Sequence, residues 1–228
     1  MLTLVLTRHG LTPRSRPEQH LGQRIDAPLS DEGHEQAVAL AERLGPIAFE
    51  RIVSSPLARA RQTAEAIAAV PCVTPRPPVE TDNRLLEMDY GAWEGLSYEQ
   101  IEERDGERRR RWEADPAASE CPGGESGEQV AARARSFLED LLQRDEHLHE
   151  GRLPVESRVL AVAHSTLNRV LVCVALNIPI REFRQRVIQS QVNLTALRWR
   201  DRARPEDAAL LLLNDVAHVR RPPQTPWE

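Results

Sequence analysis

Two short apolar runs that each end in a histidine constrain the fold of this chain more than any other feature. The first run, 2–6, is rich in leucine and is followed closely by Arg8 and His9, while the second run, 158–163, stops at His164. Apolar runs of this length, bounded by turn residues, are typical of buried strands. Ligands of open α/β sheets lie at the carboxyl ends of the strands. We therefore expect the three side chains to face one crevice.

Helical patterns alternate with the strand patterns. Ser30 is a typical N-cap residue, and apolar residues recur on one face of 31–44 before a Gly-Pro pair. A strand is predicted near 49–54, and Ser55 and Pro56 predict the start of the next helix. Ser165 or Thr166 is expected to cap a later apolar helix. Two late apolar runs predict strands that complete the sheet, 192–199 and 208–213.

The length of 228 residues suits one domain with a small insertion. We predict a single domain over 1–218, in which a cap of helix and loop is inserted at about 90–127. The C-terminal residues 219–228 are predicted to be loose, because they are rich in proline.

Composition argues against several classes of partner. The formal net charge is −5, so no overall basic field attracts nucleic acid. The longest apolar stretch, 170–176, is too short to span a bilayer. Cys72, Cys121 and Cys173 are widely spaced and match no metal-binding pattern, so we expect no disulfide framework and no zinc site. We expect a cytoplasmic protein with no nucleic-acid or membrane partner.

Two further residues can join the crevice. Arg59 lies near the start of the second predicted helix, where exposed backbone N–H groups favour anions. Glu87 follows two leucines and precedes a glycine-rich segment. Singly, each is more often an ordinary helix or loop residue. Together with the two histidines they suit phosphoryl transfer, in which an imidazole attacks phosphorus, arginines neutralise the oxygens and a carboxyl group protonates the leaving alkoxide.

Five segments form an ordered pattern that resembles one known family. They are Arg8-His9-Gly10, 54–64, Glu87 with 91–95, 124–126 and 163–165. The set resembles the histidine phosphatase superfamily, the phosphoglycerate mutase-like group with the Arg-His-Gly motif, from residue 1 to about 218. The resemblance implies an α/β three-layer sandwich with a mostly parallel central sheet and helices on both faces. It also implies that neither a metal nor another cofactor is required.

The resemblance further implies a role for each matched residue. His9 is expected to be the phosphorylated nucleophile, with Arg8, Arg59 and His164 forming the phosphate pocket and Glu87 donating a proton. The expected reaction is hydrolysis of a small phosphorylated metabolite through a phosphohistidine. Four more residues are substrate-binding candidates: Ser15, Gly22, Gln23 and Ser165.

The chain departs from the family pattern at three positions. Leu11 and Ser15 stand where the family often has glutamate and asparagine, and Ser165 stands where glycine commonly follows the second histidine. A serine at position 15 can still donate one hydrogen bond to phosphate. These changes bear on substrate contacts more than on catalysis.

A phosphoglycerate mutase is the main alternative to a phosphatase. Mutases of this family that depend on bisphosphoglycerate carry a lysine and paired arginines for a second anionic group, whereas all 30 basic residues of this chain are arginine. Segment 88–95 is similar to the phosphatase branch, so a phosphatase is favoured. The run Arg108–Arg111 could still grip an anionic substrate, but a solvated helix face is the favoured interpretation.

Two other classes are left open by the residues. A metal site could use His9, His164 and Glu87, although flanking arginines suit an anion rather than a cation. The chain could also be a binder of a phosphorylated ligand that retains the fold but has no catalytic activity. The sequence does not fix the oligomeric state and admits a homodimer.

Overall fold

The computed structural model describes residues 1–16, 18–71, 76–147 and 156–219, with the backbone alone for 144–147. Within these ranges six strands form one sheet in the order β3-β2-β4-β1-β5-β6. The four strands β3, β2, β4 and β1 pair in parallel, whereas β5 and β6 are antiparallel. The mostly parallel sheet is confirmed. Its strands are β1 Leu2–Arg8, β2 Arg51–Ser54, β3 Val79–Thr81, β4 Ser157–Ala163, β5 Leu194–Trp199 and β6 Ala209–Asp215.

Helices cover both faces of the sheet. The side chains of Leu4 and Leu6 belong to one apolar cluster and that of Val5 to another, because successive side chains of a strand point to opposite faces. Helices α1 and α2 contribute to the second cluster, and α3 to α6 contribute to the first. The three-layer α/β architecture is thus confirmed. The helices are α1 Asp31–Leu44, α2 Ala58–Ala69, α3 Tyr98–Ala114, α4 Gly127–His147, α5 Ser165–Ala175 and α6 Phe183–Arg186.

The register of β1 on β4 places the two histidines side by side. Arg8 of β1 lies opposite Ala163 of β4, and the backbone N–H of His9 donates to the Ala163 carbonyl at 3.0 Å. His164 follows Ala163 directly. Both histidines therefore leave the sheet at the carboxyl ends of adjacent strands, as the two apolar runs predicted.

Two predicted helix starts are wrong by a few residues. Helix α2 begins at Ala58 with Leu57 at the N-cap position, not at Pro56 with Ser55 as its cap. The Ser55 hydroxyl lies 2.8 Å from His164 Nε2 and accepts only a long hydrogen bond, 3.4 Å, from the Leu57 N–H. Helix α5 begins at Ser165 and has His164 at its N-cap position, so neither Ser165 nor Thr166 caps it. The short strand β3, next to a proline-rich connector, was not predicted.

Gly10 is required by a close approach between the chain just after β1 and α1. A Cβ atom at this position would lie 2.6 Å from the carbonyl oxygen of Gly33 in α1, so any side chain would push the helix away. The predicted N-cap of α1 is confirmed, since the Ser30 hydroxyl accepts from the Gly33 N–H at 3.1 Å.

The insertion predicted at about 90–127 contains a 3-10 turn, Gly91–Trp93, and helix α3. Its boundaries stay a prediction. Cys121 and Cys173 are buried free thiols whose pKa values burial raises to about 12, which makes both poor nucleophiles. Cys72 and the predicted loose tail beyond Val219 lie outside the described residues.

In the described part of the chain, no helix combines the length and the apolar character needed to cross a membrane.

Candidate active site

His9 is held in one tautomer by its neighbour. Its ring is 6% exposed, and Nδ1 lies 2.7 Å from the carbonyl oxygen of Gly10. A carbonyl can only accept, so Nδ1 carries the proton and the lone pair lies on Nε2. Burial, and then the positive charges of Arg59 and Arg8, hold the pKa of His9 well below its usual 6.5. The ring is therefore neutral at physiological pH, as a nucleophile must be.

His164 lies against His9 and is fixed by a serine. The two ring centroids are 5.2 Å apart, with an angle of 61° between the ring planes. Nε2 of His164 lies 2.8 Å from the Ser55 hydroxyl, while its buried Nδ1 has no partner among the described residues. Burial lowers the pKa of His164 well below its usual 6.5, and the nearby Arg59 and His9 lower it further.

Arg8 and Arg59, whose charges act on both histidines, keep free hydrogen-bonding capacity. Arg8 donates from Nη1 to the Gln189 carbonyl at 3.1 Å and approaches Glu18 at 3.7 Å. Arg59 is fully buried and donates to the carbonyls of three loop residues, Leu21, Gly22 and Ile25, at 2.8–3.2 Å. The Nε atoms of both arginines have no partner in the described structure. Buried guanidinium N–H groups of this kind suit a phosphate.

Glu87 is anchored at the N-terminus of α5. Its Oε1 accepts from the backbone N–H groups of Met88 at 2.9 Å and Leu167 at 3.1 Å, and its Oε2 accepts from that of Thr166 at 3.1 Å. The side chain is 4% exposed and lines the cavity described below. Because Oε2 accepts one hydrogen bond only, it keeps a lone pair that can carry a proton toward a substrate.

Gln23 and Arg133 hold the backbone of Glu87. The sequence predicted Gln23 as a substrate-binding residue and gave no sign of Arg133. Gln23 donates from Nε2 to the Glu87 carbonyl at 2.8 Å, and Arg133 of α4 donates to the same oxygen at 3.0 Å. Arg133 also pairs with Glu125 at 3.0 Å. Gly22 packs closely, because a Cβ there would lie 2.1 Å from Glu94 Oε1. Gln23 and Gly22 do not line the cavity.

A cavity of about 130 Å³ opens beside His9. Five predicted site residues line it, and His164 and Arg59 are not among the lining residues. The predicted residues in the lining are Arg8, His9, Ser15, Glu87 and Ser165. The Ser15 hydroxyl is already engaged, since it accepts from the Thr12 N–H at 3.0 Å.

Several lining residues escaped the sequence analysis. Arg169 of α5 and Arg184 of α6 contribute positive charge, and Trp112 of α3 contributes an indole. Ser165 and Arg169 lie one helical turn apart, so that spacing could have pointed to Arg169. No sequence signal relates Trp112 to Arg184, which only the tertiary fold brings together.

The run Arg108–Arg111 does not line the cavity. Arg110 and Arg111 are exposed and pair with Glu102 at 2.5 Å and Glu107 at 2.8 Å. Arg109 lies over the Tyr98 ring at 5.0 Å from its centroid. These ion pairs within the helix agree with a solvated helix face, the interpretation that the sequence favoured over a substrate-binding run.

The described residues contain no group of three His, Cys, Asp or Glu side chains arranged as metal ligands. His9, His164 and Glu87 do lie near one another, but each has hydrogen-bond partners of its own and two arginines face the histidines. The arrangement thus gives the metal-site alternative no support.

Two neutral histidines at adjacent strand ends, with Arg8 of β1 and Arg59 of α2 beside them, form a site suited to phosphoryl transfer. A model of the histidine phosphatase superfamily (branch 1) matches residues 4–214. The chain belongs to this superfamily, as the ordered motifs indicated.

Similar proteins include both phosphatases and mutases. Phosphoserine phosphatase 1 of Hydrogenobacter thermophilus is 32% identical over 183 residues, which cover 80% of each chain. A protein of Salmonella choleraesuis named as a probable phosphoglycerate mutase is 32% identical over 180 residues, 78% of this chain and 77% of that one. The structure of mycobacterial glucosyl-3-phosphoglycerate phosphatase superposes with a TM-score of 0.80 at 32% identity, covering 93% of this chain and 98% of the other. The predicted phosphatase class is confirmed.

Proposed function

We propose that the protein hydrolyses small phosphate monoesters in two steps, through a phosphohistidine on His9. The observation that carries this proposal is the contact between His9 Nδ1 and the Gly10 carbonyl, which leaves Nε2 as a neutral nucleophile in the cavity. Positive charge from Arg8 and Arg59 surrounds the same ring.

In the first step, Nε2 of His9 attacks phosphorus. The N–P bond forms as the ester P–O bond breaks, and Glu87 gives a proton to the departing alkoxide. The free guanidinium N–H groups of Arg8 and Arg59 neutralise the equatorial oxygens, whose charge grows in the transition state.

In the second step, Glu87 accepts a proton from water, which attacks the phosphohistidine. The N–P bond breaks, inorganic phosphate leaves, and His9 and Glu87 return to their starting states. No metal or cofactor enters either step. His164 holds the phosphate side of the pocket in the orientation set by Ser55.

The remaining site predictions take different roles in this proposal. Ser15 and Ser165 line the cavity and contact the substrate. Gln23 acts through the Glu87 backbone that it holds at 2.8 Å, and Gly22 gives the loop room to approach Glu94.

A phosphoglycerate mutase is kept as a second candidate, because one relative at 32% identity is named as a probable mutase. A mutase returns the phosphoryl group to a substrate hydroxyl, whereas a phosphatase gives it to water. We would incubate the protein with 3-phosphoglycerate and a catalytic amount of 2,3-bisphosphoglycerate, following free phosphate and 2-phosphoglycerate. Phosphate release is the expected result, and isomerisation without phosphate release would overturn the hydrolase.

We also propose that the protein works in the cytoplasm on a small phosphoester, with neither nucleic acid nor a membrane as partner. A homodimer is supported by the outermost strand β6, where Leu210–Leu213 are 37–46% exposed. Sedimentation analysis tests this association: a monomer at all concentrations would remove it.

A further inference from the structure

The cavity beside His9 is also lined by positively charged and N–H-bearing side chains that the hydrolysis steps do not use. They are Arg169, Arg184 and Trp112, and each carries a buried nitrogen without a hydrogen-bond partner among the described residues. We propose that these three residues form a second anion subsite, so that the substrate is a phosphate monoester bearing another anionic group. This inference rests on the proposed hydrolysis and names the substrate class of that site.

Arg169 is a charged side chain without a balancing partner. It makes no hydrogen bond or ion pair with any described residue, and its Nε is buried. Burial and then the nearby charge of Arg8 lower the pKa of Arg169, and Arg184 acts in the same direction. An arginine with two other arginines near it and no paired acid costs folding free energy. Such a cost is typical of a site that an anionic ligand completes.

Arg184 and Trp112 both line the cavity and stack on each other. The Arg184 guanidinium stacks on the Trp112 ring at 4.5 Å from its centroid, which fixes its plane. Its only ion pair in the described structure is a long one, 3.9 Å to Glu113, and its Nη1 is unpartnered. Trp112 is 4% exposed, and its Nε1 is also unpartnered. Two N–H donors on stacked, rigid groups suit a planar or tetrahedral oxyanion.

The surroundings favour an anion over a cation. His20 lines the same region, and burial lowers its pKa to about 4, so its ring is neutral and can donate or accept. Glu18 is an acid in the lining, where it lies 3.7 Å from Arg8 and its charge also acts on His20. No described acid faces Arg169 closely enough to pair with it.

The three residues come from different elements that meet over the site. Arg169 lies on α5 one turn beyond Ser165, Trp112 lies near the end of α3 in the insertion, and Arg184 lies on α6. A ligand that binds His9 with its phosphate and these residues with its other end would span this junction. Substrate recognition would then depend on α3 and α6, which lie outside the phosphate pocket.

The second anionic group could be a carboxylate or another phosphate, and both present oxygens to the same donors. Two pairs of matched substrates separate them. 3-Phosphoglycerate and glycerol 3-phosphate differ by a carboxylate, and fructose 1,6-bisphosphate and fructose 6-phosphate differ by a phosphate. The wild-type protein is expected to prefer the more anionic member of one pair by at least about tenfold in kcat/KM, the range that hydrogen bonds to charged groups support.

Arg184→Gln tests the subsite, and Arg186→Gln is the matched control on the same helix. Arg186 is 58% exposed, pairs with Glu182 and does not line the cavity. Arg184→Gln is expected to raise KM for the favoured anionic substrate by about tenfold or more, while kcat and the rate on its partner substrate change little. Trp112→Phe keeps the stacking but removes Nε1, and a smaller rise in KM is expected.

Equal kcat/KM within both pairs for the wild-type protein, or an equal loss on all four substrates in Arg184→Gln with circular dichroism unchanged, would overturn the subsite. Failure of the hydrolysis proposal has a different signature, since wild-type protein would then release no phosphate from any of the four substrates or from p-nitrophenyl phosphate.

Discussion

Nδ1 of His9 lies 2.7 Å from the carbonyl oxygen of Gly10, within a ring that is almost wholly buried. This contact decides which nitrogen can react, because the proton that it places on Nδ1 leaves the lone pair on Nε2. The same stretch of backbone cannot move outward, since Gly10 packs against Gly33 of α1. The tautomer of His9 is therefore tied to the packing of the first helix on the sheet.

The tautomer can be observed directly. Long-range 1H–15N NMR spectra of the imidazole nitrogens at pH 6.5 are expected to show His9 neutral and protonated on Nδ1, because burial and two arginines keep its pKa well below 6.5. His9→Ala identifies the signal. A His9 ring that is half-protonated near pH 6.5, or that carries its proton on Nε2, would contradict this assignment.

Ser55 is expected to matter for activity although it does not line the cavity. Ser55→Ala removes the 2.8 Å contact with His164 Nε2, which costs about 1 kcal/mol of stability. We expect a tenfold or greater loss of kcat from a misoriented His164. Ser54→Ala is the matched control, because its buried hydroxyl donates to the Ser55 carbonyl and not to His164. Equal losses of kcat in both variants would show that Ser55 does not position His164.

Glu87→Gln should reveal the proton donor through its dependence on the leaving group. The amide keeps the size of the side chain but cannot protonate an alkoxide, so hydrolysis of an alkyl phosphate should fall by about 10²- to 10⁴-fold. The first step on p-nitrophenyl phosphate, whose leaving group needs no proton, should fall much less in single-turnover measurements. An equal loss on both substrates would argue against acid catalysis by Glu87.

Stability should decline as the pH falls from 6.5 toward 5. His9, His164 and His20 have pKa values lowered by burial, that of His20 to about 4. Below pH 6.5 these histidines bind protons in the unfolded chain but stay neutral in the folded one. The free energy of unfolding therefore falls as the pH drops below 6.5. Each such histidine contributes about 1.4 kcal/mol per pH unit once the unfolded form is protonated.

Urea unfolding at pH 7, 6 and 5 measures this effect. His20→Asn should make the free energy of unfolding less dependent on pH. His34→Asn, at an exposed position of α1, serves as the matched control. A stability that stayed constant or rose between pH 7 and 5 would contradict the neutral, buried state of these rings.

The strand ends that carry the two histidines could be predicted, because runs of neighbouring apolar residues determine where these strands lie. The apolar runs before His9 and His164 specify buried strands, and parallel pairing then brings both histidines to one edge. The helix starts near Ser55 and His164 could not be predicted to the residue. A serine can cap a helix or bond a distant side chain, and here the partner, His164, lies 109 positions away.

The second half of the cavity could not be predicted. Arg169, Trp112 and Arg184 lie on three different helices, and each alone matches an ordinary surface arginine or core aromatic residue. The run Arg108–Arg111 could be mistaken for a substrate site because its charges are so dense, yet it lies on a helix face with exposed arginines. Burial and missing hydrogen-bond partners distinguish these cases, and both depend on tertiary structure.

The most direct test of the account is detection of the covalent intermediate. Wild-type protein would be mixed with a 32P-labelled monoester that it hydrolyses, quenched in alkali within milliseconds to seconds, digested and mapped by mass spectrometry. We predict one acid-labile, alkali-stable phosphoryl group on His9, formed and lost at the rate of turnover and absent from His9→Ala. Turnover without a phosphorylated His9, or full activity of His9→Ala, would contradict the mechanism.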